Sequence, residues 1–394
     1  MALRFLTSGE SHGKCLNTII EGVPAGVFID KNFIDNELRR RQVGFGRGGR
    51  MLIETDKAEI KSGVRHGISI GSPICLEINN KDWENWQIAM NCEPQDINNP
   101  EIKETIDSKK ITKLRPGHAD FAGAVKYNFD DIRNVLERSS ARETTTRVAV
   151  GAIAKLILKE FNISGFSHVI EIGKIKANTQ DLDYETISNK AENSDLRCAD
   201  NNAYELMKQE IITAGQNGTT LGGKIQIVFN NLPIGLGSYV HWDKRLDGIL
   251  AQALMSIPAV KAVEVGLGSK AGEETGSLVH DEIFYENNKI TRHTNNAGGL
   301  EGGMTNGEPL VITITMKPIP TMKSPSKSID FKTKETLEAH FERADICAVP
   351  ACGVVAESMS AIVLANALLD KFGQDNLADI KASFNVYTQR LEQI

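Results

Sequence analysis

The stretch Arg138-Ser139-Ser140-Ala141-Arg142-Glu143-Thr144 decides how the rest of the chain is read. Two hydroxyls stand at what the pattern marks as a helix start. Glu143 follows Ser140 at the spacing of a capping box, in which side chains satisfy the first unpaired backbone N–H groups. Behind it Val148, Ala149, Ala152, Ile153, Leu156, Ile157 and Phe161 recur at helical spacing, so one helix is expected from Ser140 to about Phe161. A helix start draws anions through its free N–H groups and its dipole. With Arg138, Arg142 and Arg147 around it, the turn reads either as a phosphate seat or as an ordinary capped helix with solvated arginines. From this stretch alone both stay open.

Working outward, composition narrows the partners. The chain has 394 residues, 41% apolar and 24% charged, which suits a globular protein with a sizeable core. A net charge of −6 argues against wholesale binding to nucleic acid or to an anionic membrane, so any anion site is local. The six cysteines (Cys15, Cys75, Cys92, Cys198, Cys347 and Cys352) are scattered and lack the paired spacing of a zinc site. Reduced, buried thiols in a cytoplasmic protein are expected, with no metal. Met1 to Ser8 turns polar too soon for a signal peptide, and no run of about 18 apolar residues spans a membrane.

Toward the N-terminus, Phe5 to Gly13 starts as a strand and ends in the loop Gly9-Glu10-Ser11-His12-Gly13. Adjacent residues of an extended loop point to opposite sides, so His12 reads as an acid or hydrogen-bond donor rather than half of a Ser–His pair. Asp30 caps a short helix that turns Phe33, Ile34 and Leu38 inward and ends in Arg39-Arg40-Arg41. Gly44, Gly46 and Gly49 formally satisfy GxGxxG, but an arginine cluster precedes them and a strand-like Met51-Leu-Ile-Glu follows, which is not the dinucleotide context. An RGG-type RNA segment would repeat; a basic loop closing over an anionic ligand fits better. Residues 52–80 read as strands broken by glycines, and residues 81–113, with Trp83 and Trp86, as a surface excursion. Pro116-Gly117 forms a tight turn that presents His118 between Arg115 and Asp120.

Toward the C-terminus, strands alternate with one helix near Tyr204–Ala214 as far as residue 240. A helix is expected over 243–257, a strand over 263–267 and a strand over Leu310–Met316. Between them Gly298, Gly299, Gly302 and Gly303 invite close approach by a ligand or another backbone. Lys317-Pro318-Ile319-Pro320-Thr321 is a stiff loop with a cation and a hydroxyl. Thr333 to about Glu342 is expected to be helical, and an apolar helix runs through Ala361 to Leu368. Two loop histidines with Arg41, Arg47, Arg115, Arg138, Arg142, Lys317 and Arg343 point to an enzyme acting on a phosphorylated, carboxylated small molecule.

Six segments in order resemble the chorismate synthase family: Gly9–Gly13, Arg115–Asp120, Arg138–Thr144, Asn296–Pro309, Lys317–Thr321 and Arg343–Glu357. The resemblance implies an α/β (α+β) fold, a single-domain β-α-β sandwich over residues 1–394 with helices packed between antiparallel sheets, usually a homotetramer. It implies a carbon–oxygen lyase of the shikimate pathway, which removes phosphate from 5-enolpyruvylshikimate 3-phosphate by 1,4-anti elimination to give chorismate. Reduced FMN is required although there is no net redox change; it lends electron density as phosphate leaves, and its N5 receives the C6 hydrogen. NADPH is an indirect reductant through a separate flavin reductase. By similarity His12 protonates the leaving phosphate, His118 sits at the flavin N1–C2=O region and Asp345 assists proton transfer at N5. FMN falls to Arg138, Ser139, Ser140, Gln252, Ala253, Gly302, Lys317, Pro318, Ile319, Pro320, Thr321 and Arg343. Arg41 and Arg47 fall in the NADP or substrate-phosphate region. The competing readings are a flavin-binding protein that has lost the elimination, and an RNA binder.

Overall fold

The computed structural model describes residues 3–48, 55–342 and 345–394. Two antiparallel sheets face each other across a layer of helices. The first holds β1 (Arg4–Ser8), β2 (Cys15–Glu21), β3 (Glu59–Ile60) and β4 (Ile74–Asn79), in the order β1-β2-β4-β3. The second holds β5 (Ser164–Ile172), β6 (Ile175–Lys176), β7 (Gly223–Asn230), β8 (Val260–Val265) and β9 (Leu310–Met316), in the order β8-β9-β7-β5-β6. Strand alternation supplies the inner face. Leu16 and Ile20 on β2, with Ile74, Leu76 and Ile78 on β4, turn to the core in register, Leu16 opposite Ile78 and Ile20 opposite Ile74.

The helical layer is formed mainly by α1 (Lys31–Gln42), α3 (Thr144–Lys159), α4 (Leu246–Met255) and α5 (Val349–Phe372); the short α2 (Arg133–Ser139) leads into α3. Helix α3 packs on β2, and α5 on β5 and β7, so these two central helices are covered nearly all round. They approach so closely that a Cβ at Gly151 would lie 2.3 Å from the Cβ of Ser358. Among the described residues α5 is the helix long and apolar enough to cross a membrane, and 89% of that stretch is buried in the core. Glu357 on α5 is fully buried, and Arg40 (2.8 Å), Lys155 (2.7 Å) and Arg197 (3.0 Å) surround it. Burial opposes the charge, but Arg40, Lys155 and Arg197 hold the carboxyl well below its usual range. This ionic knot fixes the end of α1, where Arg41 lies.

The β-α-β sandwich agrees with the expectation, and four local readings do not. Ser140 caps only a 3-10 turn (Ala141–Glu143), and the α-helix begins at Thr144. Glu143 spends its carboxylate on Arg147 (3.0 Å) four residues on, rather than reaching back to Ser140, so the box is half formed. Thr333–Glu342 is not helical: Thr336–Glu338 pairs antiparallel with Lys327–Ile329. Asp330 accepts from the N–H groups of Lys332 and Thr333 and bends the chain into that hairpin. A helix at Tyr184–Glu192, capped by Asp183, precedes the expected one, which spans Asn201–Gln216. Of the cysteines only Cys198, Cys347 and Cys352 are buried; Cys92 is exposed.

Candidate active site

His12 hangs from the loop after β1, and α2 holds it. Its Nδ1 lies 2.8 Å from Glu137 Oε1, its backbone N–H donates to Glu137 Oε2 at 2.7 Å, and the N–H of Ser11 donates to the Glu137 carbonyl. A carboxylate accepting at Nδ1 fixes which ring nitrogen carries that proton and how the ring points. Trp86 covers the ring, with centroids 4.1 Å apart. The excursion 81–113 is therefore not mere surface: Trp86 is 9% exposed and roofs His12. Asn80 fastens the same loop by donating to the carbonyls of Glu10 and Gly13.

His118 occupies the expected turn, with Gly117 at φ +79°. Its Nδ1 lies 2.5 Å from Asp120 Oδ1 and 3.0 Å from Arg115 Nη2, while Arg115 Nε donates to Asp120 Oδ2 at 2.9 Å. Asp120 is fully buried; burial opposes its charge, and the hydrogen bonds from His118 and Arg115 hold its carboxyl well below the usual range. The loop Lys317–Thr321 meets this turn. Lys317 Nζ donates to the Gly117 carbonyl, and Pro320 packs beside Gly117. Within the loop Thr321 is buried and the Ile319 carbonyl accepts from Thr220 Oγ1 at 2.7 Å. Burial pushes the Lys317 ammonium down, and Lys261 adds to it. An anion placed there would relieve both effects, so the residues present suit a phosphate-bearing group.

The basic loop joins from a third side. Arg47 Nε lies 3.1 Å from Asp345 Oδ2, and the Gly48 N–H donates to Asp345 Oδ1 at 2.7 Å. Arg41 is 4% exposed; it donates from Nε to Thr144 Oγ1 and from Nη2 to the Ala141 carbonyl. Its Nη1 finds no hydrogen-bond partner among the described residues, and the nearest carboxylate, Asp56, is 4.0 Å away. Burial pushes Arg41 down to about 10, with Arg47 and Arg142 adding to it and Asp56 and Asp345 opposing. Beside Arg41 and Arg47 opens a cavity of about 60 Å³ lined by Thr144, Pro258, Met316 and Cys352.

The remaining candidates are spread more widely. Arg138 is exposed and donates to the Thr7 and Gly9 carbonyls, tying α2 to the end of β1. Ser139 Oγ donates to the Val135 carbonyl, and Ser140 Oγ accepts from the Arg142 N–H. Arg142 and Arg147 do not crown a phosphate seat at this helix start. Arg142 is bound to Asp56 (2.6 Å) and Asn80, and Arg147 to Glu143 and Ser256. Gln252 is exposed and Ala253 half-buried near the C-terminal end of α4, while Gly302, at φ +58°, tops a hairpin whose Gly303 carbonyl meets the first turn of α4. None of the contacts described here joins these three to Lys317–Thr321. Arg343 lies outside the described residues. Glu137, Trp86, Asp56 and Asn80 were missed, because each acts across a long separation. The one local signal was Glu137 four residues after Arg133.

Fold and geometry together define an α+β protein with clustered cations and two carboxylate-anchored histidines. The chorismate synthase family model matches residues 3–369. The chain is 49% identical over 386 residues to "Chorismate synthase" of Gloeobacter violaceus, covering 96% of this chain and 98% of that one. It is 50% identical to that of Geobacter sulfurreducens, covering 98% of each. It is also 52% identical to "Chorismate synthase 2" of Bacillus cereus (strain ATCC 14579), covering 96% of this chain and 97% of that one. A solved "Crystal Structure of Chorismate Synthase" superposes with a TM-score of 0.80 at 41% identity, covering 100% of this chain and 99% of that one. The chain belongs to the chorismate synthase family. Its reaction is the 1,4-anti elimination of phosphate from 5-enolpyruvylshikimate 3-phosphate, a lyase step of the shikimate pathway toward the aromatic amino acids, and the family uses reduced flavin.

Proposed function

We propose that residues 1–394 form one domain whose active site lies where the loops bearing His12, Arg41–Gly48, Arg115–Asp120, Lys317–Thr321 and Asp345 converge. The observation that carries this reading is the surplus of cations around Arg41 among the described residues: Arg41, whose Nη1 has no hydrogen-bond partner, with Arg47 and Arg142, against Asp56 and Asp345. A substrate with a phosphate and two carboxylates answers that surplus. Arg41 and Arg47 bind and orient it, either at its phosphate or where a nicotinamide nucleotide docks. His12, held at Nδ1 by Glu137, donates the proton that the departing phosphate takes up.

The cofactor would be FMN, and Arg138, Ser139, Ser140, Gln252, Ala253, Gly302, Lys317–Thr321 and Arg343 would hold it. Reduced FMN supplies transient electron density while phosphate departs. With flavin bound, His118, braced by Asp120 and Arg115, would hold its N1–C2=O side, and Asp345 would assist proton movement. NADPH acts indirectly through a separate flavin reductase, in a cytoplasmic homotetramer. The test is an anaerobic assay of the purified chain with chemically reduced FMN and substrate, run with and without NADPH. Release of phosphate with chorismate is expected. Flavin binding without phosphate release would leave only a flavin-binding protein, and turnover of oxidised FMN on NADPH alone would refute the indirect role.

A further inference from the structure

Behind His12 runs a chain of alternating charge. Glu137, whose side chain is 1% exposed, accepts from His12 at Nδ1 and at the backbone, and Arg133 Nη1 lies 3.3 Å from the same Oε1. The same Nη1 of Arg133 lies 3.0 Å from Glu342 Oε1. Glu342 in turn lies 3.4 Å from His340 Nε2. Burial opposes its charge, yet the neighbouring His340 and Arg133 hold its carboxyl down to about 2. Trp86 closes the other side, with its ring over both His12 (4.1 Å) and the Arg133 guanidinium (5.0 Å).

We propose that Arg133, Glu137 and Glu342 are positioning residues, a relay that sets the His12 ring. A buried ion pair adds little stability over an apolar pair of the same shape. What this set does provide is geometry. Three donors saturate Glu137, so its carboxylate cannot swing, and a carboxylate that cannot swing fixes the imidazole it accepts from. Glu342 anchors the far side of Arg133 and stands three residues before Asp345 in sequence. The inference rests on the reading of His12 as the proton donor.

The test uses the full-length protein labelled with 15N-histidine, with the His12 Nδ1–H resonance assigned by its loss in His12→Ala. Glu342→Gln is the decisive variant, because Glu342 keeps 30% of its side chain exposed and the fold tolerates change there. It is expected to move the His12 resonance and to lower kcat by about fivefold while leaving KM within about twofold, the scale of one coupled contact. Glu137→Gln lowers kcat further, and the double variant is no worse than Glu137→Gln by more than about twofold. Arg133→Lys recovers part of what Arg133→Gln loses. An unmoved His12 resonance in Glu342→Gln, or losses that multiply in the double variant, overturns the relay. If the unmodified chain forms no chorismate, the activity reading fails while the resonance still decides the relay.

Discussion

His12 takes its carboxylate from Glu137, 125 residues away, whereas His118 finds Asp120 two residues on and Arg115 three residues back. Both rings are held at Nδ1. The difference is in what must fold first. The His118 group is nearly complete within one turn and needs only Lys317 to seat it. The His12 socket needs the end of β1, helix α2 and the excursion that carries Trp86 all in place. A locally built group tolerates disturbance elsewhere in the chain. A socket assembled from three distant segments is rigid but feels every one of them.

The comparison breaks or sharpens first at the histidines themselves. His12→Ala is expected to lower kcat by about 10³-fold, because it removes the proton donor to a departing phosphate. His118→Ala is expected to cost on the order of 10²-fold, the scale of a group that assists without carrying the main proton. Both are read as kcat with reduced FMN under anaerobic conditions. Equal losses would erase the division of labour, and unchanged turnover in either variant would refute its role.

Acid probes the same contrast through the carboxylates. Glu342 is held down to about 2 and Asp120 is held below its usual range, while both are near their ordinary values, about 4, once unfolded. Groups depressed on folding contribute stability that is fully present above the unfolded pKa and lost as pH falls through the folded one. Thermal denaturation is expected to show a Tm that is level near neutrality and declines from about pH 5 downward. In Glu342→Gln that decline should be shallower; an identical slope would mean that the Arg133–Glu342 pair contributes nothing.

How much of this was legible in the sequence follows the same line between local and distant. Arg115, His118 and Asp120 were readable because a Pro-Gly turn brings near neighbours together. The strand Leu310–Met316 was readable because five of its seven residues are buried and apolar and the other two are β-branched threonines. The sandwich came from resemblance, since no periodicity says which sheet a strand joins. The arginines around Ser140 left two readings open because sequence does not show which charges are paired. Asp56 and Asn80 silence Arg142, and neither lies near it in sequence. Arg41 was among the cations read from the sequence, but that its Nη1 is left without a hydrogen-bond partner is visible only once Thr144 and Ala141 surround it. Trp86 was read as surface because its segment is polar, although one face of the ring is covered by His12.

Trp86→Phe tests whether the roof over His12 matters beyond exclusion of water. The smaller ring keeps an aromatic face but gives up the indole N–H, which donates to Asp82 at 3.0 Å, and part of the surface beneath Lys109 and Arg133. Such a contact carries about 1 kcal/mol when partly desolvated. The expected effect is therefore a loss in kcat of about threefold to fivefold with KM unchanged, from a ring that is less firmly held rather than absent. The same variant should leave the His118 group untouched, because nothing in that turn touches Trp86. If Trp86→Phe instead raises KM and spares kcat, the ring serves substrate binding and not the placement of His12, and the contrast between the two histidines must be redrawn around the substrate.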